Sequence, residues 1–211
     1  MNQLPMLSAV RIATDRTLLR KARDTDRERL IQLRTDPEVW AHLGGPRPRQ
    51  DVEQRLDAIG GTANATAAPG AFVIADNATD DLIGTLELKR RPANQPGHIA
   101  EDGGELEMGY LMRRDAWGAG LAFEAATAAL RAAANELSDE PVLIVTRTTN
   151  KRSLKLAGRL GFRPVGTFEW FDAEQTLCVA MLHSFKGEML SGRNESRLIS
   201  DDRMTYREDF T

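Results

Sequence analysis

Along the chain, the spacing of apolar positions switches between periods, and each switch marks an element. "AFVIAD" (71–76) and "LIGTLELKR" (82–90) are β-rich runs separated by the turn-forming "NATDD". They predict an antiparallel hairpin. "ELEMGYLM" (105–112) alternates as a strand does. From Leu121 the period turns helical: Leu121, Ala125, Leu130, Ala133 and Leu137 suit one buried face, and the alanines permit close packing. "PVLIVTRTT" (141–149) is a continuous apolar strand of the kind found inside a sheet. "NKRSLKLAGRLGF" gives a helix from Lys151 to Leu160, stopped by Gly161, and "VGTFEWF" and "TLCVAML" read as two last strands.

Ahead of the hairpin, a short strand forms around Leu18 and Leu19. A helix follows, with Asp24 or Thr25 as its cap and Leu30, Ile31 and Leu33 as a partial apolar face. Pro37 interrupts it, and "RQDVEQRLDAI" (49–59) is a second short helix. The order is strand, two helices, three strands, helix, strand, helix, two strands. Its strand–turn–helix–strand section requires a parallel pair with a right-handed crossover, an α/β (α+β) chain. Residues 1–185 are expected to form one domain, and 186–211 a charged C-terminal tail.

Composition narrows the function. A chain of 211 residues suits one core. A formal net charge of −3 argues against non-specific nucleic-acid binding. Cys178 is the single cysteine, which excludes an internal disulfide and any zinc site built from several thiolates; mid-strand, it suits packing. Three histidines in distant segments make a metal site unexpected. The opening segment has no apolar stretch of signal-peptide length, and no later run could span a bilayer. A cytoplasmic protein with no membrane partner is the expectation.

"RRDAWGAGLAFEA" raises the chemical question, because Gly118 and Gly120 stand at the mouth of a helix. Glycine weakens a helix interior, so it marks a tight turn or a close approach. After a strand, such a turn lets backbone N–H groups point outward at a helix start and accept a phosphate or pyrophosphate. The third glycine of a dinucleotide loop is missing, because the position after Leu121 and Ala122 is Phe123, and there is no G-K-[ST].

"ELEMGYLMRRDAWGAGLAFEA" resembles the central motif of the GNAT N-acetyltransferase superfamily, where an [RQ]-x-x-G-x-[GA] turn binds the acetyl-CoA pyrophosphate. The nearer resemblance is to the branch that includes the ribosomal-protein N-terminal alanine acetyltransferases. "DPEVWAHL", "LIGTLEL" and "NKRSLKLAGRLGFRPVG" resemble further segments of that branch in order, so the similarity runs from Leu18 to His183. It implies a mixed, mostly antiparallel sheet with a splayed parallel strand pair, flanked by about four helices.

The resemblance also implies acetyl-CoA as co-substrate. Leu111 and Met112 would bond its pantetheine arm from the strand end. Arg113, Arg114, Trp117, Gly118, Ala119, Gly120, Leu121 and Ala122 would surround the pyrophosphate, and Asn150 would reach the arm while serving as an N-cap. The motif's opening Gln or Arg is Asp115 here. A carboxylate repels a pyrophosphate, so Asp115 is expected to point away and Arg113 or Arg114 to supply the charge. For Trp117, packing under the turn is the favoured reading over direct ligand stacking.

For catalysis, the usual tyrosine of the late helix is Ala157, and Ser153, one turn earlier, matches the serine that the branch offers to the departing thiolate. Glu107, on the strand face of Glu105 and Gly109, is the candidate base through a water chain. A solvated carboxylate is its plain alternative, and Glu169 and Asp172 are secondary candidates. Tyr110 falls on the opposite face, as core or cofactor wall. Trp40, His42 and Glu169 are the candidate acceptor contacts, with Trp40 equally a core residue, and His98 is expected to be simply exposed. The expectation is direct acetyl transfer to a primary amine, a peptide N-terminus or a small molecule. The alternative is a non-catalytic acyl-CoA sensor on the same fold. A homodimer, with the tail contributing, stays open.

Overall fold

The computed structural model describes residues 4–187. In chain order its elements are β1 (Arg11–Ala13), β2 (Thr17–Arg20), α1 (Arg27–Thr35), α2 (Pro37–Trp40), α3 (Arg49–Ala58), β3 (Ala71–Asp76), β4 (Leu82–Arg90), β5 (Leu106–Met112), α4 (Leu121–Glu136), β6 (Pro141–Arg147), α5 (Lys151–Leu160), β7 (Arg163–Trp170) and β8 (Ala173–Met181). The strands form a single eight-stranded sheet in the order β1-β2-β3-β4-β5-β6-β8-β7. Every neighbouring pair is antiparallel except β5–β6. This is the mixed, mostly antiparallel sheet with one parallel pair that the sequence implied.

Strand alternation splits the core in two. On one face Leu19, Phe72, Ile74, Leu86, Leu88, Leu106, Met108, Val142 and Ile144 pack against α4 and α5. Helix α4 can lie close because Ala125, Ala126, Ala129, Ala133 and Ala134 are its buried residues, with Leu130 between them. On the other face Leu30 and Leu33 of α1 meet Leu18, Val73, Ala75 and Leu82. Ile31 joins Val52 and Leu56 of α3 in a small satellite. Cys178 is buried in β8, where burial pushes its thiol pKa up, as a packing role predicts.

Five helices stand where about four were expected. Pro37 does interrupt α1, but it also opens α2. The Asp36 carboxylate caps that helix by accepting from the Glu38 and Val39 amides at 2.9 and 3.3 Å, and proline costs nothing at a first helical position. Strand β1 was not expected either, since three residues of mixed exposure carry no readable period. Asp24 and Thr25 fall inside a 3₁₀ turn instead of capping α1. Asp26 accepts from the Arg23 amide at 2.8 Å and from the Arg20 guanidinium at 2.7 Å. The side chains of Arg20 and Asp26 are each 5% exposed, and Asp80 completes the network from the β3–β4 turn. Nearly all of the charged tail lies outside the described residues.

Candidate functional site

Strands β5 and β6 pair through Leu106–Val142 and Glu107–Leu143, and no further. Beyond that point β5 stays bonded to β4 as far as Met112, and β6 to β8 as far as Arg147. The two strands therefore part, leaving a gap between residues 108–112 and 144–147.

The glycine turn closes the end of this gap. Gly118 and Gly120 hold φ of 80° and 81°, and a Cβ on Gly118 would meet nothing within 4 Å. Gly120 is the N-cap of α4 and offers no side chain, so the first amides of that helix have no side-chain acceptor. Leu121 and Ala122 stand in this first turn, and Ala119 between the glycines. The Trp117 indole donates to the Met112 carbonyl at 2.9 Å, and the Arg152 guanidinium of α5 lies 4.5 Å from its ring centre. Trp117 thus fastens the turn to β5 and α5. Arg16, in the β1–β2 turn, donates to the Ala119 carbonyl at 2.9 Å and to the Glu124 carboxylate at 2.7 Å. No sequence signal pointed to Arg16, which lies 103 residues from Ala119.

The charges differ from expectation in one respect. Asp115 pairs with Arg113 at 2.5 Å, while Arg114 donates to Asp36 at 2.8 Å. Both arginines of the turn therefore already hold carboxylates. Arg152 has no carboxylate partner among the described residues. A cleft of about 400 Å³ separates this turn from α1 and α2, lined by Leu33, Asp36, Val39, Arg113 and Arg114 among others.

Side chains of β5 alternate across the gap. Met108, Tyr110 and Met112 face α4 and α5, whereas Leu111 packs against the α1 side. Ser153, in the first turn of α5, is positioned by the Asn150 cap, whose side chain accepts from the Ser153 amide at 3.2 Å. Tyr110 lies on the face turned toward α5 and Ser153; burial pushes its phenol pKa up, and the nearby serine opposes this more weakly. Ala157, in the same helix, is buried in the core. Tyr110 falls on the face opposite Glu107 and packs against the core, as the strand alternation implied.

Glu107 lies on the α1 side and pairs with Arg91 at 3.0 Å. The Arg91 side chain is 0% exposed; it also donates to the Pro96 carbonyl, and its guanidinium sits 4.8 Å from the Trp170 ring centre. The last hairpin therefore reaches the candidate base. Two residues on, Gly109 is exposed in mid-sheet with nothing within 4 Å of a Cβ, so the floor beside Glu107 is open.

Of the acceptor candidates, Trp40 is buried and donates to the Leu33 carbonyl at 3.0 Å. His42 Nδ1 stands 3.3 Å from Thr149 Oγ1, which brings the loop after α2 to the loop carrying Asn150. Glu169 is exposed on β7 opposite Glu174, and Asp172 occupies the β7–β8 turn at φ 53°. His98 is not simply exposed: its ring lies between Glu105 Oε2 at 2.5 Å and the Pro92 carbonyl at 3.0 Å. Burial alone would raise the Glu105 pKa, but the Ala100 and Ile99 amides and His98 hold it down at about 2. That knot orders the loop between β4 and β5.

The profile of the family described as acetyltransferase (GNAT) domain matches residues 16–163, every element from β2 through α5. The chain belongs to the GNAT acetyltransferase family. The parted strands and glycine turn thus sit where this GNAT chain resembled the superfamily motif. It is 29% identical over 161 residues to an uncharacterized N-acetyltransferase, p20, of Bacillus licheniformis, covering 75% of this chain and 85% of that protein. Its fold matches a GNAT-family acetyltransferase from Bacillus anthracis with TM-score 0.66 at 18% identity, over 82% of this chain and 98% of that one. A CoA complex of RimL, a ribosomal L7/L12 α-N-protein acetyltransferase, matches with TM-score 0.62 at 16% identity, over 82% and 99%. At such identity the likeness to RimL is one of fold, so the narrower branch is supported only loosely. Among the described residues, no group of three or more His, Cys, Asp or Glu could hold a metal, and no helix is long and apolar enough to cross a membrane.

Proposed function

We propose that this acetyltransferase uses acetyl-CoA to acetylate a primary amine by direct transfer. The observation that carries the reading is the parting of β5 and β6 beside the open start of α4. The residues fit the co-substrate: Gly118 leaves space where a Cβ would stand, and the uncapped amides at Leu121 and Ala122 suit a pyrophosphate. Backbone groups at Leu111 and Met112 border the gap that the pantetheine arm would fill, with Asn150 opposite. Acetyl-CoA supplies an activated thioester, and the protein's part is to orient it and move protons.

The two sides of the gap suit different steps. Ser153 and Tyr110 stand together on the α5 side, at the start of a helix whose dipole favours negative charge, so their hydroxyls can donate to the departing thiolate sulfur. The raised phenol pKa keeps Tyr110 a proton donor at neutral pH. Glu107 stands on the α1 side, with open space beside it over Gly109 for the amine and a relaying water. Base and donor on opposite sides permit attack and departure without an acyl-enzyme.

Thermal shift tests the co-substrate: acetyl-CoA and CoA are expected to raise the unfolding midpoint and ATP to leave it unchanged. Stabilisation by ATP alone would overturn the reading. Release of CoA thiol in the presence of amines tests turnover, and Glu107→Gln is expected to slow it about 100-fold with the acetyl-CoA KM held. One observation favours the sensor alternative, since Glu107 is already engaged by Arg91. Intact CoA binding with no turnover across peptide, polyamine and aminoglycoside amines would establish that alternative.

A further inference from the structure

Arg34 stands apart from the other charged groups on the α1 side. It lies in the last turn of α1, which packs over β4, and is half-buried. Its guanidinium has no hydrogen bond and no carboxylate within 4 Å among the described residues. The charges that act on it are Glu87 of β4, Arg55 of α3 and Arg47, whose backbone amide bonds the Arg34 carbonyl at 3.3 Å. Arg47 and Arg55 likewise have no ion pair among the described residues. Glu87 is in register with Gly109, the open floor position, and Lys89 with Glu107. Arg34 therefore overlooks the strand pair that carries the candidate base.

The two carboxylates of β4 and β5 that face α1 are already matched. Glu107 is matched by Arg91, and Glu87 by Lys89 at 3.3 Å. Three arginines remain without carboxylate partners. Lost hydration is the largest effect on this half-buried guanidinium; the attraction of Glu87 offsets part of it, and the two like charges nearby add repulsion. Burial accordingly lowers the Arg34 pKa. An arriving anion would reverse that deficit, because a guanidinium binds carboxylate and phosphate in two parallel bonds.

Building on the amine-acetylation reading above, we infer that Arg34, backed by Arg47 and Arg55, receives an anionic group of the acceptor, so that the substrate amine also carries a carboxylate or phosphate. The amine is directed to Glu107 and the anion to Arg34, which fixes the acceptor at two points. Cationic groups are repelled by the same three arginines, so discrimination arises from repulsion as well as attraction.

Calorimetric titration of the CoA-saturated protein with matched pairs decides the matter: glycine against glycinamide, an amidated Ala-Asp peptide against Ala-Asn, and phosphoethanolamine against ethanolamine. These arms separate a free amino acid, an acidic peptide and an amino phosphate as the source of the anion. In at least one pair the anionic member is expected to bind about tenfold more tightly or better. Arg34→Met should reduce that preference to under about threefold, leaving the neutral member and the unfolding midpoint unchanged, and Arg34→Lys should keep part of it. Arg47→Gln, at an exposed position, provides a second variant that should halve the preference or more if Arg34→Met does not fold. Equal binding in all three pairs, including no binding of any member, overturns the inference, as does equal weakening of both members by Arg34→Met. Failure of CoA to bind would instead count against the amine-acetylation reading, so the two failures are distinct.

Discussion

The two faces of the sheet are built from different materials. Beneath α4 and α5 lies one continuous apolar cluster, closed by alanines that bring helix and strands together. Beneath α1–α3 lie two small clusters, a buried ion network around Arg20, three arginines without carboxylates and an exposed mid-sheet glycine. The first face is a foundation, and the second holds polar groups in place at some cost in stability. Strand β5 serves both at once because its side chains alternate: Met108 and Met112 anchor it below, while Glu107 and Gly109 shape the open side. A division of this kind lets polar groups remain incompletely satisfied without unfolding the chain.

The contrast can be broken hardest from the foundation. Leu130→Ala should cost about 3–5 kcal/mol in urea unfolding, since Leu130 is 0% exposed and α4 is held by neighbours that cannot collapse inward. Glu105→Gln probes the polar side. The folded pKa of Glu105, about 2, lies below its ordinary 4.5, so its stabilisation is complete above about pH 5 and fades as pH falls toward 2. The variant should lose about 2–3 kcal/mol near pH 7 and little near pH 2, which unfolding across that range would show. Ser153→Ala and Tyr110→Phe should each lower kcat about tenfold or more in a thiol-release assay, with the unfolding midpoint within a degree or two. Full activity in both would remove the hydroxyl pair from the chemistry. Arg16→Ala, an exposed tether, should raise the acetyl-CoA KM by only about threefold.

The foundation was the more legible half. Helices α4 and α5 and the β3–β4 hairpin were read close to their ends, because each combines a complete apolar period with a glycine or turn signal at its boundary. Gly118 and Gly120 were legible as a turn that something must approach. What escaped was set by contacts between distant segments. Asp36 before Pro37 is itself a local start signal, but nothing local shows that Asp36 also takes Arg114, or that His98 serves Glu105 instead of solvent. Tyr110 was read onto the correct face, but its nearness to Ser153 depends on how far α5 leans toward β5. Arg34 carries no local signal; its partial burial, which Arg47 and Arg55 do not share, comes from the packing of α1 over β4.

Two residue pairs are all that join β1–β5 to β6–β8 through backbone bonds between β5 and β6, with α4 crossing over the junction. Mechanically, the sheet is two panels on a narrow seam. A guest with amide groups that enters the gap stands in for the missing rungs of the ladder and turns two panels into one plate. Amide hydrogens at the rim of the seam, in residues 108–112 and 144–147, should then exchange more slowly with acetyl-CoA present than without it. Those deep in β3 and β4, already held on both sides, should change little. The seam is where the protein's cohesion and its cofactor affinity become the same quantity.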